Sequence, residues 1–156
     1  MIYWFTGQPS HGKTTLGKLL IENFKKNNLS NVFHIDGDDL RFLTKNQDYS
    51  KEGRIENVNT AQKIAHYLHN QGNIVIVSLV SPFRWQREEF KNFLKDNVIE
   101  LYVHTNLIRE RENFRVEYYE EPTENFINVD TTFDSPEESL KKIINQINIT
   151  NEKLYS

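Results

Sequence analysis

Ile2-Tyr3-Trp4-Phe5-Thr6-Gly7-Gln8-Pro9-Ser10-His11-Gly12-Lys13-Thr14-Thr15 runs from a short apolar segment through a glycine-bracketed turn into a helical pattern. Gly7 to Thr14 fits G-x-x-x-x-G-K-[ST]. The pattern lies where its chemistry requires, directly after a strand predicted at Ile2 to Phe5 and at the start of a helix predicted over Lys13 to Lys26, whose Leu16, Leu19, Leu20 and Phe24 recur at helical spacing. The two glycines let the backbone aim successive N–H groups at nucleotide phosphates, and the helix N-terminus adds partial positive charge. Gly7, Gln8, Pro9, Ser10, His11, Gly12, Lys13, Thr14 and Thr15 are therefore the predicted cradle for ATP. Lys13 is expected to reach the β- and γ-phosphates, and the Thr14 hydroxyl to join a Mg2+ shell.

Outward from this loop, short apolar runs alternate with longer helical patterns, which is the mark of βα units and a parallel sheet. Val32 to Ile35 is a second strand. A helix is predicted from Arg54 to Asn70, because Ile55, Val58, Ala61, Ile64, Ala65 and Leu68 recur every three or four residues. The unbroken apolar run from Ile74 to Leu79 suits a central parallel strand covered on both faces. Trp85 to Leu94 reads as a helix, Val98 to Val103 as a strand, and Phe126 to Val129 as a last short strand. Between the last two, Asn106 to Tyr119 is helical in propensity but crowded with charge. Ser135, Pro136 and Glu138 form an N-cap, first-turn proline and capping box for a closing helix striped by Leu140, Ile143, Ile144 and Ile147. The expected fold is α/β, a P-loop NTPase with three α/β/α layers around a mostly parallel five-stranded sheet.

Length and composition narrow the rest. The chain has 156 residues, 37% hydrophobic and 26% charged, with a formal net charge of −3 and no cysteine. Thiolate metal sites and disulfide chemistry are excluded. The acidic balance lacks the basic footprint of a duplex-binding protein, so no nucleic-acid polymer is expected as partner. The N-terminal apolar run is too short for a signal peptide or a spanning helix; a cytoplasmic location and no membrane partner are expected. One kinase domain is predicted over residues 1–150, with a lid at about 106–125 and a tail at 151–156.

A phosphate loop identifies NTP binding but not the phosphate acceptor. Neither a guanine-reading N-K-x-D nor a D-x-x-G switch occurs at a plausible position, and a small kinase fits the length best. His34-Ile35-Asp36-Gly37-Asp38-Asp39-Leu40-Arg41 places a carboxylate cluster and an arginine at the end of the second strand, the edge where open α/β sheets hold ligands. A carboxylate there suits a general base, a water-mediated Mg2+ ligand, or both; Asp38 is the choice. The plain alternative is that these aspartates form a turn and cap the next helix.

The stretches WFTGQPSHGKTT, DGDDLR, GRIENV and SLVSPFRWQRE come in the order and spacing of adenylylsulfate kinases, which this chain resembles. That resemblance implies transfer of phosphate from ATP to the 3′-hydroxyl of adenosine 5′-phosphosulfate. It further implies that Asp38 and Arg41 are acceptor-side residues and that Tyr49 stands where a phenylalanine stacks on the acceptor's base. Arg54 and Asn57 match a pair that holds the acceptor nucleotide, and Ser81 with Pro82 matches the S-P turn after the central strand. Arg54 and Asn57 are three apart on the predicted helix and share a face, where a guanidinium and an amide suit an oxyanion beside a nucleotide.

The resemblance thins after the fourth strand. The family's G-L-Y-K-x-A-R and K-x-F-T-G-I lid segments are replaced by a shorter, acidic RERENFRVEYYEEPTENF from Arg109 to Phe126. Arg109, Arg111 or Arg115 is expected to neutralise charge on the transferring phosphoryl group, and Arg111 with Glu112 is the match that the resemblance suggests for the family's R-D pair. Alternating Arg and Glu also reads as a solvated, self-paired helix face. Phe114, Tyr118, Tyr119 and Phe126 are candidates for the second aromatic of the base pocket. A capsule-associated branch that the chain also resembles phosphorylates cytidine diphosphoramidate, and the shortened lid is compatible with that acceptor.

Arg84 and Arg87, after the S-P turn, are candidates for binding an anion. Tyr3, Trp4 and Phe5 read as strand core, and His66 with His69 as exposed helix residues, since two ligands make no metal site. The rival from another class is an ATP-binding regulatory module without kinase activity. The expected partner is a small nucleotide substrate, and a homodimer is allowed.

Overall fold

The structure, a computed structural model, describes residues 1–108 and 114–155, with side chains through residue 148. In chain order it runs β1 (Ile2–Thr6), α1 (Lys13–Lys26), β2 (Val32–Asp36), α2 (Gly37–Thr44), α3 (Lys51–Asn70), β3 (Ile74–Ser78), α4 (Arg84–Leu94), a 3-10 turn (Lys95–Asn97), β4 (Val98–His104), β5 (Phe126–Asp130) and α5 (Pro136–Tyr155). The strands form one sheet in the order β2-β3-β1-β4-β5, and all four pairings are parallel. The fold is thus the P-loop NTPase α/β/α arrangement that the sequence predicts.

The five buried residues of β1 divide by the two-residue period of a strand. Ile2 and Trp4 join Val75 and Val77 in a core closed by Val58, Ala61 and Ala65 of α3 and by Phe90 and Leu94 of α4. Tyr3 and Phe5 join Ile76 and Leu101 in a second core, closed by Leu16 and Leu20 of α1 and by Ile143 and Ile147 of α5. Covering on both faces explains why β1 is apolar from Ile2 to Phe5.

Register brings the working ends together. Phe5 lies opposite Ser78, Thr6 opposite Tyr102 and Asp36 opposite Ser78. Because β1 lies between β3 and β4, the turn that follows it emerges where the strand order reverses, the crevice in which open α/β sheets bind ligands.

Most predicted elements recur within a residue or two. The capping box of α5 forms as expected: the Ser135 N–H donates to Glu138 Oε2 at 2.7 Å, and the Glu138 N–H donates to Ser135 Oγ at 3.2 Å. Helix α5 continues through Tyr155, across most of the stretch read as a tail. Helix α3 starts three residues before Arg54, since the Ser50 hydroxyl caps it by accepting from the Gly53 N–H at 3.1 Å. Helix α2 follows β2 without a loop, where the sequence showed only a cluster of aspartates. Asn106 to Tyr119 differs more: residues 106–108 and 114–119 form turns with a single 3-10 residue at Phe114, not a helix.

Candidate active site

Between β1 and α1 the backbone takes conformations that few residues adopt. Gly7, Ser10 and Gly12 have φ of +145°, +63° and +104°. A Cβ on Gly7 would lie 2.1 Å from the Val103 carbonyl oxygen, so β4 itself imposes glycine there. Lys13, the first residue of α1, is 8% exposed, and its Nζ donates to the Gln8 carbonyl at 2.6 Å. Burial pushes the Lys13 ammonium down to about 8, opposed by the negative charges of Asp36 and Asp38. Both carboxylates therefore act on the loop's lysine. His11 contributes backbone: its carbonyl accepts from the Thr131 hydroxyl at 3.2 Å. Thr15 is exposed on the following turn.

Asp36 is the residue that the sequence reading passed over in favour of Asp38. Its Oδ2 accepts from the Thr14 hydroxyl at 2.6 Å, and its Oδ1 accepts from the Asp38 N–H at 3.0 Å, capping α2. The capping alternative is thus realised by Asp36, while Asp38 stands exposed on the first turn of α2. Asp36 is the last residue of β2 and Asp38 already lies in α2, a boundary that the fold sets. A hydroxyl and two carboxylates are hard oxygen donors of the kind Mg2+ prefers. Among the described residues, no three His, Cys, Asp or Glu side chains group closely enough to hold a metal alone.

On the acceptor side, Arg41 is 8% exposed, and its Nη1 donates to the Asn46 carbonyl, Asn46 Oδ1 and the Asp48 carbonyl at 3.2, 3.1 and 2.8 Å. It shapes the loop that presents Tyr49. The Arg41 guanidinium lies 4.2 Å from the Tyr49 ring centroid and the Arg54 guanidinium 5.5 Å from it. Tyr49 is 58% exposed. Arg54 Nε and Asn57 Oδ1 are buried without a hydrogen-bond partner. Burying unpaired polar atoms costs free energy unless they meet a partner, and both atoms belong to α3. The tertiary fold brings Arg41, Tyr49 and Arg54 into one cluster.

Ser81 has φ +47° and is almost fully buried. Its hydroxyl accepts from Trp4 Nε1 at 2.9 Å, and its carbonyl accepts from Arg87 Nη1 at 2.6 Å. Ser81 and Pro82 therefore shape the turn from inside. Arg87 is not the anion-binding arginine that the sequence suggested: its Nε donates to Glu100 Oε1 at 2.6 Å, with both side chains almost completely buried. Lys91 Nζ lies 2.6 Å from Glu100 Oε2 as an ion pair and 2.8 Å from Glu88 Oε1. Arg84 Nε donates to the Glu121 carbonyl at 2.8 Å.

These basic groups hold residues 116–125 as a strap across the sheet edge. The Glu120 carbonyl accepts from Arg87 Nη2 at 2.6 Å, and the Glu120 N–H donates to the Pro82 carbonyl at 2.9 Å. Tyr119 shares a 2.8 Å hydrogen bond with the Thr6 hydroxyl and stacks on Tyr102, while Phe126 meets Tyr102 edge-on. Those contacts commit both rings to the sheet. Tyr118 stacks on Phe83 with centroids 5.5 Å apart, and Lys51 Nζ lies 5.0 Å from its ring centroid. Tyr118 thus reaches the start of α3 through Lys51. Arg109 and Arg111 lie outside the described residues.

A family model for adenylylsulphate kinase matches residues 1–143. Cytidine diphosphoramidate kinase of Campylobacter jejuni is 33% identical over 143 aligned positions, covering 89% of this chain and 83% of the relative. Adenylyl-sulfate kinases of Thermodesulfovibrio yellowstonii and Picosynechococcus are 31% and 32% identical over 166 and 163 positions, covering 94% and 92% of this chain and 82% and 91% of theirs. The APS kinase of Mycobacterium tuberculosis in complex with AMPPNP and APS shares the fold, with a TM-score of 0.80 at 21% identity over 94% of this chain and 96% of that one.

The alignment lengths differ in a telling way. With the cytidine diphosphoramidate kinase, 143 positions hold 89% of 156 residues, about 139, so about four positions face a gap in this chain. With the two adenylyl-sulfate kinases, 166 and 163 positions hold about 147 and 144 residues, leaving about 19 gap positions each. Any span of about 139 residues in this chain crosses the segment between β4 and β5.

Proposed function

The chain belongs to the adenylylsulphate kinase family, and we propose that it transfers the γ-phosphate of ATP to the 3′-hydroxyl of a nucleotide acceptor. It is a P-loop phosphotransferase of adenylylsulfate-kinase type. The observation that carries the reading is the meeting of two sites at one sheet edge: a phosphate loop tied to Asp36 through Thr14, and the Arg41, Tyr49, Arg54 and Asn57 face with its unpaired buried polar atoms. A regulatory module that only holds ATP has no need of the second face.

In this reading the loop from Gly7 to Thr15 binds ATP, with Lys13 leaving the Gln8 carbonyl for the phosphates. Thr14 with Asp36 or Asp38 would hold Mg2+, which when bound neutralises phosphate charge. Asp38 orients the acceptor hydroxyl and takes its proton as the acceptor oxygen bonds to the γ-phosphorus and ADP departs. Arg54 and Asn57 hold the acceptor nucleotide, Tyr49 stacks on its base, Arg41 braces Tyr49, and the Ser81-Pro82 turn walls the pocket. Arg111 is assigned the lid-arginine role. Rate enhancement comes from positioning and charge neutralisation, with no covalent enzyme intermediate.

Two acceptors fit the family, adenosine 5′-phosphosulfate and cytidine diphosphoramidate. The core motifs serve both; the small number of gaps against the cytidine diphosphoramidate kinase favours the second. A cytoplasmic location suits a kinase that draws on ATP, and no described helix is long and apolar enough to cross a membrane. The test is incubation with ATP, Mg2+ and a panel of adenylylsulfate, cytidine diphosphoramidate and nucleoside monophosphates, read by 31P NMR. A new 3′-phosphomonoester on the cytidine compound is expected, removed by Asp38→Asn with ATP binding retained. Phosphorylation of adenylylsulfate alone would reverse the acceptor, and ADP release indifferent to every acceptor would overturn the kinase.

A further inference from the structure

We infer that the Gln8 side chain is a positioning device that couples nucleotide binding at the phosphate loop to the strap formed by residues 116–125. Gln8 Oε1 accepts from the Val116 N–H at 2.9 Å, and Gln8 Nε2 donates to the Val116 carbonyl at 2.9 Å. The two bonds satisfy donor and acceptor of one strap residue from one side chain, as a neighbouring strand would. Val116 is itself buried, so its paired backbone is shielded from competing water.

The backbone of the same residue faces the nucleotide. Lys13 Nζ rests on the Gln8 carbonyl at 2.6 Å. The P-loop lysine reaches the β- and γ-phosphates of a bound nucleotide, so binding removes a charge-assisted hydrogen bond from Gln8 and changes the field on its peptide. Next to it, Gly7 is confined against the Val103 carbonyl. The change is therefore taken up on the Gln8 side, where the side chain passes it to Val116.

From Val116 the strap leads to the acceptor side within four residues. Tyr118 packs on Phe83 and under Lys51, Tyr119 bonds Thr6, and Glu120 bonds Pro82 and Arg87. Gln8 is thus placed to make the acceptor-side wall respond to nucleotide. Its side chain is outside the phosphate-binding chemistry, which uses the loop's N–H groups. The inference rests on the nucleotide-binding reading given above.

Hydrogen–deuterium exchange of the Val116 to Glu120 amides, with and without a saturating non-hydrolysable ATP analogue and Mg2+, tests it without requiring the acceptor. In the wild-type chain the analogue is expected to slow exchange by about fivefold or more. In Gln8→Leu, compared at an analogue concentration that saturates each protein, the ratio should fall below about twofold, because the side-chain pair to Val116 is lost. Gln8→Glu keeps the acceptor half and should recover part of the response; it also decides the matter if Gln8→Leu fails to fold. Equal ratios in wild type and variants, or no response in a wild-type chain that binds the analogue, would overturn the coupling. So would loss of analogue binding in Gln8→Leu, which would put the side chain in the nucleotide cradle. A wild-type chain that binds no analogue would refute the nucleotide-binding reading itself, and the coupling with it.

Discussion

The Thr14 hydroxyl donates to Asp36 Oδ2 at 2.6 Å, joining the first turn of α1 to the last residue of β2 across 22 positions of sequence. The same carboxylate caps α2 through its other oxygen. One side chain thus orients the hydroxyl expected to meet Mg2+ and starts the helix that carries Asp38.

Asp36→Asn separates these two tasks, because Asn caps helices about as well as Asp but carries no charge. Thermal stability should change by less than ~0.5 kcal/mol, while the Mg2+ concentration for half-maximal activity should rise about tenfold or more. A Mg2+ titration of initial rates, beside a melting curve, measures both; an unmoved Mg2+ requirement would exclude Asp36 from the metal shell.

Lys13 gives a pH dependence with opposite signs for binding and stability. Burial holds its pKa at about 8, so the free protein loses the ammonium as pH rises past that value. kcat/KM for ATP should then fall about tenfold per pH unit above about 8. Over the window from about 8 to the ordinary lysine value, the unfolded chain binds more protons than the folded one, so stability from this group rises with pH. Rate profiles and denaturant melts between pH 7 and 10.5 read the two trends. A flat kcat/KM across that window contradicts the assignment.

Arg54 presents a buried, unpartnered Nε beside Tyr49. Arg54→Ala should raise KM for the acceptor by about 10- to 100-fold and leave KM for ATP within about twofold, the cost of one lost charge-assisted contact. Arg54→Lys should recover little, since an ammonium has no planar fork. Steady-state kinetics with each substrate varied in turn distinguishes this from a general loss of fold.

Glu100 neutralises Arg87 and Lys91 in a nearly solvent-free site. Glu100→Gln leaves these cations under-compensated and should destabilise the protein by about 3 kcal/mol. Urea melts would show it. The strap should loosen as well, because Arg87 also holds the Glu120 carbonyl and Lys91 the Glu124 carbonyl at 3.2 Å, and limited proteolysis at residues 116–125 should quicken.

Legibility followed the range of the interactions involved. β1, the phosphate loop and α1 were readable because a strand, two glycines and a helix start are local, and α5 because Ser135 and Glu138 satisfy each other three residues apart. Helix α2 was hidden: eight residues led by aspartates, with Phe42 and Leu43 strongly exposed, have no apolar stripe to betray them. Arg87 read as an anion-binding arginine because its partner, Glu100, lies on β4 and is reached only through tertiary packing. Asn106 to Tyr119 is helical in propensity, yet the backbone groups at Val116 and Glu120 are paired with Gln8, Pro82 and Arg87.

The sequence by itself determined the nucleotide end of this protein. A phosphate loop works through backbone N–H groups and glycine conformations, and those are set by adjacent residues. The tertiary structure decided the rest: which aspartate meets Thr14, which arginines are spent on buried ion pairs and which face Tyr49, and how Gln8 holds the strap. Each of these depends on charges and hydrogen-bonding groups distant in sequence that find one another only when the sheet brings its strand ends together, and burial then makes an unpaired group too costly to leave.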